Sequence, residues 1–75
     1  MGALELVTEL VVGDEVQVGH QFRGKARGVV REVVDGGFRL ELLTPCRTAY
    51  GVREVGDVVF YNWLRVRGVE RVEGQ

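Results

Sequence analysis

Residues 13–42, GDEVQVGHQFRGKARGVVREVVDGGFRLEL, decide how this chain folds. Gly13-Asp14 is a turn signal. From Glu15 to Val18 polar and apolar residues alternate, which points Val16 and Val18 inward from a strand. Gly19 to Lys25 is polar, cationic and glycine-bearing, and reads as a loop. Ala26 to Val34 reads as a long strand. Val30 and Val34 share one parity, while Val29, Arg31 and Val33 share the other. Apolar residues on both parities predict a bent strand that is covered in part on both sides. Asp35-Gly36-Gly37 is expected to supply the positive φ of a tight hairpin. Phe38, Leu40 and Leu42 then point inward, with Arg39 and Glu41 outward. Three strands joined by a basic loop and a tight turn open a small, strongly bent β-barrel.

Outward from this stretch the signals weaken. Residues 3–12, ALELVTELVV, read as a strand by the shared parity of Leu4, Leu6, Leu10 and Val12, although Leu6, Val7 and Leu10 would also line a helix face. Thr44 to Gly56 is long for a connection in so small a domain, and Pro45 interrupts strand pairing there. It carries Cys46, Arg47, Thr48, Tyr50 and Arg53. After a Gly56-Asp57 turn, Val58 to Trp63 reads as a strand; Asn62-Trp63-Leu64 reads alternatively as a helical turn. Gly68 to Val72 is a short closing strand. The chain also echoes itself. Val-Gly-Asp-x-Val stands at 12–16 and 55–59, and Arg-Gly-Val at 27–29 and 67–69. A duplicated hairpin is one source of the echo; two common turn–strand solutions in a Val/Gly/Arg vocabulary are the plainer one.

Seventy-five residues make one domain, 1–75, with a modest core. Sixteen valines, seven leucines and no isoleucine favour strands. The net charge of −1 supplies no global field toward nucleic acid or anionic lipid. Cys46 is the sole cysteine, which excludes an intrachain disulfide and fits a reducing cytoplasm. No apolar run reaches the ~18–20 residues of a membrane helix, and the N-terminal residues lack signal-peptide character. The expected setting is therefore cytoplasmic, away from membranes.

Gly13-Asp14-Glu15-Val16-Gln17-Val18, then Gly24, Gly28-Val29-Val30 and Val33, followed by an apolar strand, resemble the opening of an SH3-like barrel of the KOW and Tudor type. Leu64 to Val72 resembles the last turn and strand of such barrels. The resemblance implies a small binding module. Gly24 and Gly28 stand four apart, where KOW motifs usually place two glycines three apart, so the barrel carries over and a KOW-specific function does not. A fainter similarity links the chain to type II dihydrofolate reductases, through the Gly-Asp-x-Val opening and Glu70-Arg71-Val72. The active strand of that family reads Val-Gln-Ile-Tyr. Here Val58-Val59-Phe60-Tyr61 keeps the tyrosine but has valine for the glutamine that would bond cofactor and substrate. No cofactor is expected.

Two groups of residues suggest binding. His20, Phe22, Arg23, Lys25, Arg27 and Arg31 occur with no acidic residue between Glu15 and Glu32. Guanidinium groups beside a stacking ring suit phosphate and base contacts. The plain alternative is a solvated loop whose arginines pair with carboxylates such as Asp14 or Glu32. In the second group, Tyr61, Trp63, Arg65 and Arg67 share one parity, and an unbroken strand would present them on one face with Phe60, Leu64 and Val66 in the core. The alternatives are that Trp63 caps one end of the barrel, or that Asn62 starts a helical turn and the shared face is lost. His20 reads as a pH-sensitive contact near the arginines or as an idle loop histidine. Cys46 reads as a packed thiol. No His/Cys/carboxylate spacing supports a metal, and no nucleophile has a base nearby in sequence.

The sequence thus predicts an all-β domain, a small SH3-like barrel of five to six strongly bent antiparallel strands. It predicts a non-catalytic module that contacts single-stranded nucleic acid through both groups. The competing expectation is protein–protein recognition: the valine-rich edge, with Val29, Val33, Leu43 and Val59 outside the core parity, would make the chain a homo-oligomer or an accessory subunit of a larger phage or enzyme assembly.

Overall fold

The computed structural model describes residues 10–72. The strand-or-helix alternative for residues 3–12 lies mostly outside them; Leu10 packs against the core and Val12 enters a turn. The described chain is all-β. Strands β1 (Glu15–His20), β2 (Gly24–Val34), β3 (Gly37–Leu42), β6 (Val58–Asn62) and β7 (Val66–Arg71) form one antiparallel sheet in the order β6-β3-β2-β1-β7. Strands β4 (Cys46–Thr48) and β5 (Gly51–Arg53) pair in a separate hairpin. A 3-10 turn, Trp63–Arg65, precedes β7. No helix among the described residues is long and apolar enough to cross a membrane.

A sheet with one apolar face and no helix to cover it must curl over itself. Strand β2 makes the curl possible. Its first half pairs with β1, its second half with β3, and the register slips between Val30 and Glu32. Such a bulge bends a strand and lets two successive side chains point outward. Arg31 and Glu32 both do, and each finds an ion-pair partner on β3, Glu41 and Arg39. One cluster results, with Val16, Val18, Val30, Phe38, Leu40, Leu42 and Tyr61 fully buried.

The inward positions expected of β1 and β3 are buried; on β2, Val30 is buried and Val34, of the same parity, is exposed. The reading of β6 is inverted. Val59 lies opposite Leu40 and Tyr61 opposite Phe38, so Val59 and Tyr61 are core, whereas Phe60 lies opposite Arg39 and faces outward. Leu64, expected in the core, is 82% exposed because the 3-10 turn breaks strand alternation. The irregular 44–56 connection contains the β4–β5 hairpin, with Pro45 just before its first strand.

The Val-Gly-Asp echo is one turn built twice. Gly13 and Gly56 take φ of 100° and 96°, a region that glycine enters without a Cβ penalty. Asp14 Oδ2 accepts from the Val11 amide and Asp57 Oδ2 from the Glu54 amide. Each glycine amide then donates to the neighbouring strand, Gly13 to Val30 O and Gly56 to Leu42 O.

The Asp35-Gly36 turn corrects a further expectation, since neither Gly36 nor Gly37 adopts a positive φ. Glycine is required at 37 by close approach: a Cβ there would collide with the Tyr61 carbonyl and come within 2.8 Å of the Phe60 ring. At Gly36 a Cβ would meet open space. Gly37→Ala should therefore destabilise the domain by about 1–3 kcal/mol in thermal or denaturant unfolding, while Gly36→Ala should stay within about 0.5 kcal/mol of wild type.

Candidate functional site

The described structure gathers aromatic and cationic side chains at one end of the curled sheet. A column of rings runs from core to surface. Trp63 packs on Phe38 at 4.8 Å between centroids, and Phe38 stacks on Tyr61 at 5.4 Å with planes 9° apart. Tyr61 meets the His20 edge at 5.6 Å, and His20 lies 6.2 Å from Phe22. Two guanidinium groups cap the column. Arg23 lies 5.1 Å above the Tyr61 ring centre, and Arg65 lies 5.4 Å above that of Phe22. Arg65 also approaches Gln21 Oε1 at 3.4 Å.

His20 shapes the turn that carries Phe22 and Arg23. It ends β1, and its Nδ1 accepts from the Phe22 and Arg23 amides at 3.0 and 3.2 Å. That nitrogen must be unprotonated to accept. Burial first, then the charges of Arg23 and Arg65, hold the His20 pKa below its ordinary value of 6.5. Arg23 is itself fixed: its Nη1 donates to the Phe60 carbonyl at 2.9 Å, across the outer edge of β6. Alternate residues of an edge strand point N–H and C=O away from their partner, and Arg23 occupies one such carbonyl. Tyr61 lies beneath it. Burial first, then the hydrogen bond with Cys46, raises the phenol pKa and keeps it protonated.

The residues singled out in the sequence therefore divide. His20, Phe22, Arg23 and Arg65 meet at this end, with Trp63 half-buried against the core. Tyr61 is the floor and has no exposed face. Arg31 is paired with Glu41 at 2.7 Å on the outer face of the sheet. Lys25 and Arg67 lie elsewhere, beside Gln17 and Glu70 around a shallow depression floored by Gly19 and Gly68. Arg27 lines a neighbouring one with Thr44 and Pro45. The single strand face of Tyr61, Trp63, Arg65 and Arg67 does not form, because Asn62 caps the 3-10 turn, its Oδ1 accepting from the Leu64 amide at 2.9 Å.

Sequence reasoning missed a cleft of about 400 Å³ beside β6. Arg23, Arg39, Arg53, Thr48, Tyr50 and Phe60 help to line it, with no carboxylate among the described residues that line it. Arg39 comes from β3 and the others beyond Arg23 from the β4–β5 hairpin and β6. The sequence signal was the length of the 44–56 segment and its Tyr50 and Arg53; pairing across β3 and β6 could not be read from it. Among the described residues no cluster of three or more His, Cys, Asp or Glu could hold a metal. Cys46 is buried, its Sγ 3.5 Å from Tyr61 Oη.

Neither family models, curated proteins nor solved structures yield a match to this chain.

The geometry of His20 fixes a pH dependence. Its folded pKa is lowered, so its contribution to stability is complete above 6.5 and is lost as pH falls through 6.5 toward the folded value. Denaturant midpoints should fall between pH 7.5 and about 5. His20→Asn, whose side-chain carbonyl accepts the same amides without titrating, should flatten that part of the profile.

Proposed function

We propose that this domain is an SH3-like barrel serving as a non-catalytic binding module for single-stranded nucleic acid. The strand order β6-β3-β2-β1-β7, the long shared β2 and the 3-10 turn before the last strand support the barrel. One observation carries the binding reading. Phe22 is 70% exposed at the tip of a turn held by His20, backed by the Arg65 guanidinium, and among the described residues neither Arg23 nor Arg65 is paired with a carboxylate. A ring with an open face stacks on any base, and adjacent guanidinium groups hold the phosphates that flank it. Arg23 and the turn are fixed before ligand arrives, so little side-chain freedom is lost on binding. The net charge of −1 makes this attraction local.

A second reading has its own observation. Leu64 lies one residue before Arg65 on the same 3-10 turn and is 82% exposed, so a protein partner or a second copy of the chain could cover it together with Phe22. That contact would be apolar and nearly indifferent to salt.

Fluorescence anisotropy with a labelled mixed-sequence oligonucleotide separates the two. The nucleic-acid reading predicts binding that weakens steeply as salt rises. Phe22→Ala should cost about tenfold in affinity. Arg65→Ala should weaken binding and reduce the salt slope by about 0.7. Absence of binding at low salt overturns the reading. Self-association abolished by Leu64→Glu, with no oligonucleotide bound, would establish the second.

A further inference from the structure

The cleft beside β6 has a charge pattern that a strand of internal phosphodiesters does not need. Arg23, Arg39 and Arg53 all line it. Among the described residues, the Arg53 side chain forms no ion pair or hydrogen bond, and Arg23 is bonded to a carbonyl. Arg39 pairs with Glu32 at 2.9 Å on the open face of the sheet. Three guanidinium groups and one carboxylate leave a local charge of about two. A phosphodiester brings one negative charge, whereas a terminal phosphate monoester brings nearly two at neutral pH.

The rest of the cleft suits a nucleotide. Tyr50, at the tip of the β4–β5 hairpin, is fully exposed. Its backbone is held: the Thr48 hydroxyl accepts from the Tyr50 amide at 3.2 Å and donates to the Gly51 carbonyl at 2.8 Å. Phe60 also lines it, its ring resting where a Gly37 side chain would be, with Arg39 5.9 Å above it. The tyrosine offers a flat surface to a base, and the arginines can fork to the phosphate oxygens.

We propose that this cleft is a subsite for a terminal phosphate monoester at the end of a nucleic-acid strand, with Arg53 and Arg39 on the phosphate, Arg23 between them and the strand-binding surface, and Tyr50 against the terminal base. The proposal rests on the nucleic-acid reading of the Phe22–Arg65 surface.

The test compares one short single-stranded oligonucleotide in three forms: 5′-phosphorylated, 3′-phosphorylated and unphosphorylated. Titrations are run at fixed salt and pH 7.5. At least one phosphorylated form should bind about tenfold tighter than the unphosphorylated strand. Arg53→Ala should bring that ratio close to one, and Arg53→Lys should restore it in part. Thermal melting of both variants controls for folding; Arg53 is exposed on a hairpin outside the main sheet, and unchanged melting is expected. Equal binding of the three forms, or a ratio untouched by Arg53→Ala, overturns the subsite while leaving the strand-binding surface intact. Failure of all three forms to bind at low salt overturns the underlying reading as well.

Discussion

Tyr61 stacked on Phe38 is the contact through which the core of the curled sheet and its surface are joined. The pairing of β3 with β6 sets these two residues opposite each other on the inner face. Both rings are fully buried, and such pairs contribute about 0.5–1.5 kcal/mol beyond the area they remove from water. The buried phenol is satisfied by the Cys46 thiol, which ties the β4–β5 hairpin to the same core. On the other side the ring supports His20 and lies beneath Arg23. Register on one strand pair therefore positions both the hairpin and the basic turn.

Among the described residues, electrostatics at this end are arranged without carboxylates. His20 accepts two amides and remains neutral, and the two arginines beside it reinforce that state. Arg23 is held by a carbonyl and a ring, and Arg65 by a ring and an amide oxygen. Elsewhere arginines are neutralised in the usual way, as in Arg31–Glu41, Arg39–Glu32 and Arg71–Asp14. These exposed pairs form a set that contributes little to stability. Arg23 and Arg65 stand outside that set.

The all-β class and the first three strands were legible because alternation in β1 and β3 is unbroken and turn residues bound each strand. The bulge in β2 was visible only as apolar residues on both parities. Strand β6 misled because Val58-Val59-Phe60-Tyr61-Asn62 is apolar at four consecutive positions, so parity cannot be read within it; the partner strand decides it. The shared face of Tyr61, Trp63, Arg65 and Arg67 failed for the same reason and because of the Asn62 cap. Composition picked out the basic group, yet it could not say that His20, Phe22 and Arg23 would meet at the ring column while Lys25, Arg27 and Arg67 lie away from it. The β4–β5 hairpin carries only three residues per strand, too few for alternation to register.

The most direct test of the account is a two-dimensional amide NMR titration with a short single-stranded oligonucleotide at low salt. The account predicts shifts concentrated on the turn from Gln21 to Arg23 and on Leu64 and Arg65, with small changes around Gln17, Lys25 and Arg67. Shifts confined to the Lys25–Arg67 depression would contradict it, as would a spectrum left unchanged.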